Sequence, residues 1–318
     1  MISIVVLSIL VVMSLIGNTL VILTVLINKP MRTTLNYLLV NLAVADIVFA
    51  LSTGITHVMM PHLAHPEGHT DRFLCAFFAG GGVGWIGGTV SSLCLVYIAV
   101  ERSFAIIHPL RQRGRFTQRR LKLFVVISWI VAILICIPVS FLTCYHPDSQ
   151  FYKTGGISFI TNKVNSVVWM VVAGIVPVSI MVYLYSGVVH HLWFKSVQNL
   201  AASQRATLRY RKRVTVTLIT VSVIYAVCWI ANLTAYLMEH WSELIPWFDK
   251  TGTVLLTFNC CVNPVLYSMR MKSFREHLRD VLFCKKRGRA RGKAALPHVG
   301  PPEEQPINRS AGSRTRKL

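Results

Sequence analysis

Seven apolar stretches alternate with short polar ones along this chain of 318 residues, at about 2–27, 37–60, 73–107, 121–143, 166–194, 214–238 and 247–269. The first runs from Ile2 to Ile27 without a charged side chain. That exceeds the ~20 residues a helix needs to cross about 30 Å of hydrocarbon. No Lys or Arg precedes it, and it is longer than the apolar part of a cleaved signal peptide, so it reads as a retained span. The other six hold one or two ionisable residues at most, chiefly Asp46, Glu101 and Arg102. The pattern predicts an all-α integral membrane protein, a seven-transmembrane helix bundle.

A different pattern follows the last run. Ser273 to Phe283 places Phe274, Leu278, Val281 and Leu282 on one helical face, predicting a short interfacial amphipathic helix. Cys284 ends it and is a candidate palmitoyl anchor, a free thiol being the alternative. Residues 285–318 are rich in Pro, Gly and charge without apolar periodicity, which predicts a disordered basic tail after a domain of residues 1–284.

Composition agrees with the pattern: 53% of residues are hydrophobic and 14% charged, against roughly 25% charged in an average soluble domain. The net charge of +21 needs no nucleic acid to explain it. Of the Lys and Arg residues, 29 fall on the segments of one side and 4 on the other, which predicts an amino terminus outside and a basic tail inside, drawn to anionic lipid.

Three features bear on chemistry. Gly82-Val83-Gly84-Trp85-Ile86-Gly87 fits the glycine fingerprint of dinucleotide-binding loops, but a phosphate cradle needs a preceding strand and an aqueous face. Inside an apolar run it has neither, so a nicotinamide enzyme is set aside. Asp46 lies deep in the second run, where an uncompensated charge costs at least ~2.5 kcal/mol. Asn18, Asn259 and Asn263 offer polar partners from other runs, either as a packing knot or as the shell of a hard cation. Pro138, Pro177 and Pro264 fall inside spans and predict bends.

Gly17-Asn18, Leu42-Ala43-Val44-Ala45-Asp46, Glu101-Arg102 with Pro109 and Leu110, Trp129, Pro177 with Tyr185, Cys228-Trp229 and Asn263-Pro264-Val265-Leu266-Tyr267 occur in order, one set per span. Jointly they resemble a rhodopsin-like (class A) G-protein-coupled receptor over residues 1–284. The resemblance implies a sodium site at Asp46, Ser91, Asn259 and Asn263, and no other cofactor. It implies an activation switch built from Glu101, Arg102, Pro109, Leu110, Tyr185, Trp229, Asn263, Pro264 and Tyr267. It also implies a Cys75–Cys144 disulfide and a plasma-membrane location. The implied partners are a heterotrimeric G protein, reached when the sixth helix swings outward, arrestin, the lipid bilayer and an extracellular ligand.

The chain departs from the family pattern in places. Ser103 replaces the usual tyrosine, Ala231 stands where a proline bends the sixth span, and Arg211 stands where some members tie down Arg102 with an acid. Cys75 precedes Arg102 by two residues more than usual, so the glycine run is expected to absorb a bulge and to open space beside Trp85.

Gly84 in place of an aspartate argues against an amine ligand, and Thr257 in place of a lysine argues against a photoreceptor. The outer segments carry six acids, with Glu239, Glu243 and Asp249 crowding one mouth, which favours a cationic ligand. The expected ligand is a basic, amidated peptide, held by Gly84, Trp85, Gly88, Trp169, Asn232, Tyr236, Glu239, Asp249 and Thr253. A membrane transporter using Asp46 is the alternative, though it leaves the Glu101-Arg102 and Asn263 to Tyr267 sets unexplained.

Overall fold

The computed structural model describes residues 2–59, 77, 81–108, 116–142, 144–145, 152–153, 159–194, 202–241 and 247–283. They lie in a compact unit, Met1–Lys285; the basic tail and Cys284 fall outside the described residues.

The bundle is built from α1 (Ile2–Ile27), α2 (Thr34–Gly54, prolonged by a wide turn over Ile55–Met59), α3 (Gly82–Ile107) and α4 (Gln118–Leu142). The fifth helix, α5, comprises Phe159–Trp169, a π-helical stretch Met170–Ile175 and Val176–Phe194. Then come α6 (Ala202–Trp241), α7 (Trp247–Arg270) and the short α8 (Lys272–Leu282). Between α4 and α5 a two-residue antiparallel pair sets Cys144 opposite Lys153 and Tyr145 opposite Tyr152.

Among the described residues, six of these helices are long and apolar enough to cross a membrane. The shortfall of α7 has a physical reason: its buried face carries Thr257, Asn259, Asn263 and Tyr267, while Phe258, Val265 and Met269 look outward. Its polar side is turned into the bundle, which lowers its mean hydropathy without exposing polar groups to lipid.

Neighbouring helices pack in the order α1 on α2 and α7, α2 on α3, α3 on α4 and α5, and α6 on both α5 and α7. Thr33 caps α2, its hydroxyl accepting from the backbone N–H of Asn36 at 3.3 Å, which satisfies one of the donors a helix start leaves free. α8 docks beneath α1 and α7 through the buried Phe274, whose ring lies 6.1 Å from that of Tyr267.

Two elements differ from expectation. α6 begins at Ala202, well before its apolar run, because the intervening Gln, Arg, Ala and Leu residues are good helix formers and need no lipid to stay wound. It also passes unbroken through Ala231.

α3 is described from Gly82, and the earlier part of its expected span, Phe77 apart, lies outside the described residues. Gly81 takes φ 70°, a left-handed conformation that a side chain disfavours. The break therefore sits at the edge of the glycine run, and Gly82 to Gly88 is regular helix with no bulge.

Candidate functional site

The deepest polar centre joins three helices. Asp46 of α2 is fully buried; Ser91 of α3 donates to its Oδ1 and Asn263 of α7 donates from Nδ2 to its Oδ2, each at 2.8 Å. Asn263 thus holds the carboxylate through its N–H₂ and does not add an oxygen to it. A small cavity of about 10 Å³, room for roughly one water-sized sphere, opens beside the carboxylate, lined by Asp46, Ser91, Asn259, Gly88, Trp229 and Leu256 among others. Of the four residues implied for sodium, Asp46, Ser91 and Asn259 face this space. One carboxylate with hydroxyl and amide oxygens around a small void suits a hard monovalent cation.

α1 is tied in by a mechanism visible in the sequence only in hindsight. Pro264 has no N–H to give the carbonyl of Cys260, four residues earlier. Asn18 Nδ2 donates to that carbonyl at 3.0 Å instead. Gly17 permits the approach, since a Cβ there would come within 3.0 Å of the Pro264 ring. On the far side, Trp129 of α4 donates to Asn41 of α2 at 3.1 Å.

Above the cavity, four aromatic rings meet. Trp85 lies 5.6 Å from Trp169, 6.0 Å from Trp229 and 6.4 Å from Tyr236, centroid to centroid. Asn165 donates to the Tyr236 hydroxyl at 3.1 Å. Asn232, 8% exposed, lies against Gly252 of α7, and its Nδ2 has no hydrogen-bond partner.

The glycines play a part the sequence reading did not assign. A Cβ on Gly87 would lie 2.7 Å from the Ala45 carbonyl oxygen and 2.9 Å from the Phe49 nitrogen. No side chain fits between those backbones. Gly84 faces Ser52 and Phe49 of α2, and Gly88 faces the edge of the Trp229 ring, where a Cβ would come to 2.9 Å. The space expected to open beside Trp85 at Gly84 and Gly88 is thus occupied by α2 and by Trp229. The run is a helix-packing surface, and the spacing of Gly84 and Gly88, small residues four apart in an apolar span, was the available signal.

At the other end of α3, Arg102 Nε and Nη2 donate to the buried Glu101 carboxylate at 2.5 and 2.7 Å. Among the described residues no acid of α6 pairs with Arg102, and Arg211 is exposed. Tyr185 lies 3.4 Å from the Ser222 hydroxyl, and the Tyr267 hydroxyl is buried without a partner.

Thr253 is half-buried in α7, and its carbonyl accepts from the Thr257 hydroxyl at 2.8 Å. Glu239 and Asp249 sit on α6 and α7, but their side chains lie outside the description, as do Pro109, Leu110, Cys75 and the Cys144 side chain. Tyr225 and Ser92 were missed by the sequence reading; Tyr225 stands one turn before Trp229 on the same face of α6.

Residues 17–267 match the 7 transmembrane receptor (rhodopsin family) profile, and the chain belongs to that family. It is a multi-pass membrane receptor and not an enzyme. It is 29% identical over 290 residues to the allatostatin-A receptor of Bombyx mori, covering 86% of this chain and 77% of that one. It is 26% identical to the QRFP-like peptide receptor of Branchiostoma floridae over 86% of this chain and 75% of the relative. It is also 29% identical to a rhodopsin of Sminthopsis crassicaudata over 81% and 75%.

Proposed function

We propose that this chain is a plasma-membrane receptor, amino terminus outside, that binds a cationic peptide at the Trp85 end of the bundle and activates a heterotrimeric G protein at the Arg102 end as α6 swings outward. The observation that carries the reading is the joint presence of two centres in one bundle. A cluster of Trp85, Trp169, Trp229 and Tyr236 sits at one end, and a Glu101–Arg102 pair without an acid from α6 sits at the other. The peptide assignment draws on relatives named for peptides, allatostatin-A and QRFP-like. The opsin likeness carries less weight, because Thr257 is fully buried where a retinal lysine would be needed.

Asp46, Ser91 and Asn259 would hold a sodium ion, which supplies charge neutralisation for a buried carboxylate and favours the state described here. A Cys75–Cys144 disulfide, a palmitoyl chain on Cys284 and arrestin binding complete the proposal.

The test is a panel of amidated peptides, amines and lipids applied to cells carrying the receptor with promiscuous G proteins. Activation by a basic amidated peptide, weakened by reversing the charges of Glu239 and Asp249, is expected. Activation by amines or lipids alone, or unchanged peptide potency after charge reversal, would overturn the ligand class.

A further inference from the structure

One side chain on the outward side of α5 does not suit hydrocarbon. Tyr183 is 79% exposed, and its hydroxyl has no hydrogen-bond partner among the described residues. Elsewhere the large side chains turned to lipid within the spans are apolar, such as Ile16 of α1, Leu134 of α4, Val227 of α6 and Phe258 of α7. A phenol left there without a partner is costly, so whatever lies against it should accept a hydrogen bond.

Tyr183 is not alone on its face. Ser186, His190 and Trp193 follow at spacings of three and four residues, all exposed, and reach the end of α5 over about 15 Å. That is the Arg102 end of the bundle, since a Cβ on Gly187 would lie 3.5 Å from Ile107, the last residue of α3. There Lys212 of α6 lays its ammonium over the Trp193 ring, 3.6 Å from the centroid. The ring holds the cation beside the stripe, and the exposed Arg209 stands one turn earlier on α6. In the other direction Ile180, Val176 and Val172 continue the face as plain hydrocarbon.

The order along this face is cation, hydroxyl donor, hydrocarbon. A glycerophospholipid carries the matching order of phosphate, ester carbonyls that only accept, and acyl chains. We infer that the outward face of α5 from Tyr183 to Trp193, with Lys212 of α6 at its end, binds one anionic glycerophospholipid. Its phosphate meets Lys212 and an ester carbonyl accepts from the Tyr183 hydroxyl. The about 15 Å between Tyr183 and Trp193 is close to the reach of phosphate, glycerol and ester laid end to end with a hydrogen bond at each end. A sterol brings no negative charge to Lys212. A second copy docked here about a twofold axis would bring the Lys212 and Arg209 cations of both copies together. The site requires a bilayer, and neither the proposed peptide nor a G protein.

Native mass spectrometry of the purified full chain, titrated with phosphatidylserine or phosphatidylcholine, provides the test. Phosphatidylserine should bind more tightly, and Lys212→Gln should weaken it about fivefold, the worth of one cation at a membrane surface. Lys122→Gln, at an exposed lysine in the first turns of α4, should leave it unchanged. Tyr183→Phe should weaken both lipids about two- to tenfold, the range set by one hydrogen bond. The same change should have no effect on phosphatidylserine whose ester links are replaced by ethers. Tyr183 and Lys212 lie at the surface, so both variants keep the fold.

Equal binding of the two lipids, an equal response to Lys122→Gln, or the same Tyr183→Phe effect on the ether lipid would overturn the site. So would displacement of phosphatidylserine by a sterol, or a dimer that Tyr183→Phe dissociates. Failure of every G protein to respond would remove the receptor proposal and leave these lipid affinities as they are.

Discussion

The side of the bundle formed by α1, α2 and α7 and the interface of α3, α5 and α6 bury polar groups in the same solvent and treat them differently. Around Asp46 the bonds are short and each crosses between helices: 2.8 Å from Ser91, 2.8 Å from Asn263 and 3.0 Å from Asn18 to Cys260. Along the other interface they are long or missing. Tyr225 reaches Ala173 at 3.4 Å, Tyr185 and Ser222 are 3.4 Å apart, and the Ser92 hydroxyl has no partner.

The two prolines make the contrast sharp. Pro264 and Pro177 each deprive a carbonyl four residues back, and one is taken by Asn18 at 3.0 Å, the other by Tyr225 at 3.4 Å. In hydrocarbon an unsatisfied group costs several kcal/mol with no water to relieve it. A tightly bonded polar group therefore resists separation, whereas a loosely bonded one gives up little when its helix moves. The first region is a frame and the second is the part free to change.

Attacks on the frame should have the largest effects. Gly87→Val drives side-chain atoms into the α2 backbone at Ala45 and Phe49, which should destabilise the bundle by ~3 kcal/mol or more. Little folded receptor should then be recovered from membranes. Asp46→Ala leaves the Ser91 and Asn263 donors buried without an acceptor, at about 2–4 kcal/mol, read as a drop in Tm of the purified chain. The contrast breaks if either variant melts like the wild type.

Changes on the movable side should alter signalling more than stability. Arg211→Glu supplies an acid from α6 toward Arg102, and ligand-independent nucleotide exchange should fall several-fold while Tm stays within a few degrees. An unchanged basal rate would contradict the absence of a tether. The smallest effect is expected from Asn232→Leu. It removes a buried amide whose Nδ2 has no partner, so stability should be unchanged or rise by up to ~1 kcal/mol, with ligand response reduced. A clear loss of stability would show that the amide is bonded after all.

Much of the frame was legible in the amino-acid order. Apolar runs predict helices because every backbone group must bond within its own segment in lipid, and Asp46, Asn18 and Asn263 stand out because polar groups there need partners. What was not legible depends on which way a helix faces. Gly84, Gly87 and Gly88 look like open space in a sequence, yet α2 and Trp229 fill it. Tyr225 reads as one more aromatic until Pro177, on another helix, gives its hydroxyl an acceptor. Hydropathy marks the apolar span of α6 and not the helical turns before it, since a helix of Arg, Gln and Ala continues without lipid.

One measurement addresses the frame and the movable part together. Nitroxide pairs at Lys29, just after α1, and Arg270, at the end of α7, and at His108, just after α3, and Arg209, on α6, would be followed by pulsed electron resonance as nucleotide-free G protein of each Gα class is added. The account predicts a His108–Arg209 distance longer by several ångströms with one class, beside an unchanged Lys29–Arg270 distance. Equal movement of both pairs, or a fixed His108–Arg209 distance with every class, would contradict it.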